Sequence, residues 1–111
     1  PTACRAMLAG ADGVVSVASN VLPRAFRRLC TLAQGGKRDA ATGWDQRMVD
    51  IYDFLGVESN PIPVKALLAR QGIGHGVRLP LLPLSPTHHD AAAKIAAAIR
   101  ELEIACDAVA A

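Results

Sequence analysis

Apolar residues return every three or four positions through much of this 111-residue chain. That spacing puts them on one face of a helix and turns the face toward a core. Leu22, Phe26, Leu29, Cys30 and Ala33 make one such stripe, which stops at Gly35-Gly36. Trp44, Met48, Ile51, Tyr52 and Leu55 make a second and predict a single helix from Asp39 to Leu55, with Arg38, Asp45, Arg47, Asp50 and Asp53 mainly on its other side. Ile95, Ile99, Leu102 and Cys106 make a third, beside many alanines that permit close helix–helix approach. Two shorter helices are predicted, Thr2 to Ala9 closed by Gly10, and Val64 to Gln71 closed by Gly72. Ser85-Pro86 reads as a cap followed by an N1 proline at the start of the last helix. The tail from Ala108 to Ala111 is expected to fray.

Two stretches break the helical period. Val14-Val15-Ser16-Val17 is short, apolar and β-branched, bounded by glycine and polar residues. It reads as a strand buried on both faces, as in a parallel sheet. No second strand is evident to pair with it. Val77 to Leu84 is apolar enough, but Pro80 and Pro83 bar it from the middle of a sheet, so it is expected to cross the surface in an extended path. An unpaired buried backbone group costs about 1–3 kcal/mol. Either copies of the chain pair through this strand or, the favoured expectation, its partner strands lie outside these 111 residues; a first helix that starts at Pro1 without a lead-in points the same way. Asn20, at the polar exit of that strand, suits a helix N-cap; it also lies where parallel α/β proteins bind substrates.

The second break is Glu58-Ser59-Asn60-Pro61-Ile62-Pro63-Val64-Lys65. Pro61 and Pro63 fix two φ angles, remove two donors and push Asn60 and Ile62 toward extended backbone. The segment is either a rigid connector between helices or a device that holds Asn60 or Lys65 against a site.

Composition narrows the function classes. With 12 basic and 10 acidic residues, the net charge of +2 gives no electrostatic footprint for nucleic acid. Arg24, Arg27, Arg28, Lys37 and Arg38 read as solvated faces, without interleaved aromatic platforms. No apolar run reaches transmembrane length. Cys4, Cys30 and Cys106 are an odd, scattered set without zinc spacing, expected to be buried thiols in a reducing compartment. Gly72-Ile73-Gly74-His75-Gly76 fails the phosphate-loop patterns. His88 and His89 are adjacent and point to different parts of a helix surface. Among Lys37, Lys65 and Lys94, Lys65 is best placed for imine chemistry, yet it lies on a helix rather than at a strand end. These features describe the helical end of an α/β protein without its own reactive group.

Three stretches, in this order and at these intervals, resemble the dihydrodipicolinate synthase family: Gly13 to Val21, Glu58 to Lys65, and Arg78-Leu79-Pro80-Leu81-Leu82-Pro83-Leu84-Ser85. The second is the most specific; the first is also tolerated in relatives such as N-acetylneuraminate lyase. The resemblance covers nearly the whole chain and matches the C-terminal portion of the family. It implies an α/β fold, the C-terminal part of a (β/α)8 barrel followed by a helical domain, with residues 1–35 the last strand and its flanking helices and residues 36–111 the helical domain. It implies a class I aldolase-like lyase of the cytoplasm, commonly a homotetramer. There a barrel lysine forms a Schiff base with pyruvate and the enamine attacks aspartate semialdehyde, on the way to lysine and diaminopimelate. No dissociable cofactor and no metal are implied. Val15 matches the strand residue whose backbone lines the pyruvate pocket, and Asn60 an asparagine near its mouth. The family's nucleophilic lysine, proton-relay tyrosine and threonine, and carboxylate-binding arginine match nothing here, and Lys65 matches a helical-domain lysine. The resemblance thus implies a fragment that is inactive alone. A non-catalytic helical assembly module and a sugar-acid aldolase remain the other readings.

Overall fold

A computed structural model describes residues 2–110, with side chains from Thr2 to Cys106. Six helices follow in order: α1 Ala3–Leu8, α2 Pro23–Gln34, α3 Arg38–Gln46, α4 Val49–Leu55, α5 Ile62–Arg70 and α6 His89–Ala110. Short 3-10 turns at Ala18–Asn20 and Pro86–His88 lead toward α2 and α6.

The stripes read from sequence do form the core. α2 buries Ala25, Phe26, Leu29 and Ala33 and packs against α1, α3 and α6. Leu22 and Leu29 are fully buried, each contributing about 1.5–3 kcal/mol relative to exposure. α6 buries Ala92, Ala96, Ile99, Leu102 and Cys106, and packs against α2, α4 and α5. One apolar cluster runs from Cys4 and Met7 of α1 to Cys106 of α6.

Four expectations are corrected. The helix expected from Asp39 to Leu55 is two helices. At the break the Met48 amide bonds the Asp45 carbonyl and the Ile51 amide bonds Met48, tight three-residue steps that replace the regular ladder. Met48 is still fully buried, so the stripe survives the kink. Asn20 does not cap α2: its amide side chain donates to the Val17 carbonyl at 3.1 Å, and Leu22 occupies the cap position. The open amides are instead taken by α6, where Glu103 accepts from Arg24 N at 3.2 Å and Ala25 N at 2.8 Å. Ser85 stands at the cap position with Pro86 next, as expected, but it makes no side-chain cap bond; its own amide donates to Glu58 Oε1 at 2.8 Å. Lastly, Val14 to Val17 is not a buried strand. Among the described residues there is no strand, and Val15 is 104% exposed relative to its reference state. A β-branched run without partner strands leaves its backbone open to solvent instead of a ladder.

Elsewhere the irregular regions are as expected. Leu79 and Leu82 are exposed along the proline-rich path, and only Leu84 at its end is buried. α6 continues as helix to Ala110, through residues where fraying was expected, and Ala111 lies outside the described residues. Pro1, expected at the N1 position, also lies outside them.

Candidate functional site

The exposed valine run walls an open groove of about 560 Å3. Gly10, with φ +111°, lets the chain leave α1 in a conformation that L side chains rarely adopt. The run is then pinned at its far end. Ser16 Oγ accepts the Ala18 amide at 3.1 Å, Ser19 Oγ donates to the Ser16 carbonyl at 2.6 Å, and Asn20 holds Val17. These local bonds fix Val15 and Val17 without a sheet. The other lining residues include Phe26 of α2, Tyr52 and Leu55 of α4, and Asn60. Val15 and Asn60, 45 residues apart in sequence, thus border one concavity.

Tyr52 was seen in the sequence only as a stripe member, yet it lines this groove. The hydroxyl donates to Asp45 Oδ1 at 2.9 Å and lies 3.8 Å from Met48 Sδ. Burial, and then the Asp45 carboxylate, push its ionisation far above the ordinary tyrosine range. It therefore stays a protonated donor. The polar lining is completed by Thr2, Ser16 and Asn60. No lysine, carboxylate or imidazole borders the groove. It can hold a small molecule or a chain segment, but it has no amine to form an imine and no base to move a proton.

The lysines lie elsewhere. Lys65 Nζ donates to the Gly76 carbonyl at 3.2 Å, on a different pocket, and Lys37 and Lys94 are exposed. Among the described residues no three His, Cys, Asp or Glu groups come together as a metal site. His88 Nε2 lies 3.9 Å from Glu58 Oε1, whereas His89 Nε2 lies 3.2 Å from the Leu84 carbonyl. None of the three cysteines forms a disulfide among the described residues; Cys4 and Cys106 are buried and Cys30 is half-buried. Burial pushes the Cys4 and Cys30 thiols up, which makes them poor nucleophiles. Trp44 is a structural anchor: its Nε1–H donates to the Ala25 carbonyl at 2.8 Å, and the Arg47 and Arg28 guanidinium carbons lie 4.6 and 5.5 Å from its ring centre.

The helical frame carries an open groove without a reactive group, and comparison with known proteins gives the chain's family. The profile of the Dihydrodipicolinate synthetase family matches residues 2–99, and the chain belongs to that family. It is 62% identical over 102 residues to 4-hydroxy-tetrahydrodipicolinate synthase of Xanthomonas axonopodis pv. citri, an alignment covering 92% of this chain and 34% of the relative. It is 42% identical over 106 residues to the enzyme of that name from Coxiella burnetii (strain Dugway 5J108-111), covering 95% and 36%. The chain thus spans about a third of the length of the curated relatives it matches. Its backbone superposes with a TM-score of 0.84, at 35% identity, on a crystal structure of the chloride-inhibited dihydrodipicolinate synthase from Acinetobacter baumannii complexed with pyruvate; 89% of this chain and 34% of that one are covered.

Among the described residues no helix is long and apolar enough to cross a membrane.

Proposed function

We propose that this chain is the C-terminal third of a pyruvate-dependent lyase that condenses pyruvate with L-aspartate 4-semialdehyde to 4-hydroxy-tetrahydrodipicolinate. The observation that carries the reading is the 62% identity to a synthase of which only 34% is covered. The inert groove supports it: Val15 and Asn60 border a concavity that lacks a nucleophile. In this reading residues 1–35 are the last stave of a (β/α)8 barrel with its flanking helices, and residues 36–111 are the helical domain. The Schiff-base lysine belongs to the barrel portion outside these residues. Val15 contributes backbone to the pyruvate pocket, and Asn60 lies at its mouth. The protonated imine serves as the electron sink, its nitrogen taking up the pair as the enamine forms, so the reaction calls for no dissociable cofactor. The parent enzyme is cytoplasmic and a homo-oligomer.

Borohydride reduction in the presence of pyruvate tests the assignment of the reactive group. The purified 111-residue chain should gain no reduced pyruvyl adduct by mass spectrometry, whereas an intact synthase gains one. An adduct on Lys37, Lys65 or Lys94 would overturn it.

A further inference from the structure

A second pocket, of about 280 Å3, lies between α5, the loop through Gly76 and Val77, and the start of α6, and it shares no lining residue with the Val15 groove. Ile62, Ala66, Val77, Leu84 and Ala92 give it an apolar lining. Its charged groups are Lys65 and Arg70, and no carboxylate borders it. Both cations are held by neutral carbonyls. Lys65 Nζ donates to Gly76 O at 3.2 Å, and Arg70 Nη2 donates to His89 O at 3.4 Å. Each cation therefore keeps its full positive charge and most of its donors, since an ammonium has three and a guanidinium five. The first bond ties the loop to α5 and the second ties α5 to α6, and each partly orders its cation before any ligand arrives, which lowers the cost of binding. A small apolar cavity edged by two fixed cations selects a ligand with one negative end and a compact hydrocarbon body.

We propose that this pocket binds a small monocarboxylate with a short branched aliphatic body, the carboxylate accepting from Lys65 and Arg70 and the hydrocarbon lying against Ala66, Val77 and Ala92. This goes beyond the lyase reading and does not depend on it. The direct test is a heteronuclear NMR titration of the 111-residue chain with 4-methylpentanoate, and in parallel with the neutral 4-methylpentanamide. The acid should bind saturably, with a dissociation constant on the order of 1 mM or tighter for so few heavy atoms. Amide shifts should concentrate at residues 65–70, 76–77 and 84–92. Replacing the carboxylate by the amide should weaken binding about tenfold or more, as should Lys65→Met with Arg70→Met. The ligand pair decides the matter even if the double variant unfolds. Equal binding of acid and amide, shifts scattered over other surface cations, or no saturation up to about 20 mM would overturn the proposal.

Discussion

Glu58 shows how one carboxylate organises the stretch that the prolines stiffen. Its Oε1 accepts the Ser85 amide at 2.8 Å and lies 3.9 Å from His88 Nε2, joining the lead-in of α5 to the lead-in of α6. The Ser85 amide is the main reason its ionisation is held below the ordinary value of 4.5; desolvation opposes it, and the Ser85 side chain and then His88 add smaller pulls downward. A depressed carboxyl in the folded state stabilises the fold fully above the unfolded value, and that contribution disappears as pH falls through the folded value. Urea titrations of the chain and of Glu58→Gln should therefore differ by a constant margin above pH 4.5 and converge below it. A margin that persists unchanged in acid would show that the ionised form is not what holds Ser85. The sequence drew attention to this stretch through Pro61 and Pro63, but not to Glu58. Its partner is 27 residues away, and no local pattern marks a carboxylate that binds a distant amide.

Between elements, the contact that fixes α6 on α2 is the reach of Glu103 to the amides of Arg24 and Ala25. A carboxylate there satisfies two open donors and meets the positive end of the helix dipole. Glu103→Ala should destabilise the chain by about 1–2 kcal/mol in urea denaturation followed by the fluorescence of its single tryptophan, Trp44, whereas Glu101→Ala on the exposed side should change it by less than about 0.5 kcal/mol. Equal effects would remove the capping role. The helices themselves were legible because three- and four-residue spacing is a local signal: the stripes through Leu22–Ala33 and Ile95–Cys106 are the buried faces, with Cys30 and Ile95 at their margins. The break between α3 and α4 was not legible. The apolar spacing continues through Met48, and neither glycine nor proline stands at the kink. The cap of α2 was misread for the same kind of reason. Asn20 has cap chemistry, but the groups that satisfy the helix come from a residue almost eighty positions away.

At the scale of the molecule, the 42 × 27 × 21 Å body has a radius of gyration of 14.5 Å, against about 13 Å for a compact chain of this length. It leaves Val14, Val15 and Val17 exposed beside a groove that has walls but no reactive group. The valine run was read as a buried strand and is neither strand nor buried, because a strand is made by its neighbours and propensity cannot supply them. That Lys65 stands on a helix was legible too, since it needed only the local sequence. That Tyr52 joins Val15 and Asn60 in one concavity was not, because it depends on how α4 meets the loop after α1. The most direct test of the lyase reading is a chimera in which this chain replaces the aligned 102 residues of the Xanthomonas axonopodis synthase. The chimera should form the reducible pyruvate imine and turn over pyruvate with aspartate semialdehyde, and adding Val15→Asp should raise its KM for pyruvate. A soluble, folded chimera that forms no imine, or whose use of pyruvate ignores Val15→Asp, would contradict the assignment of this groove to the pyruvate site.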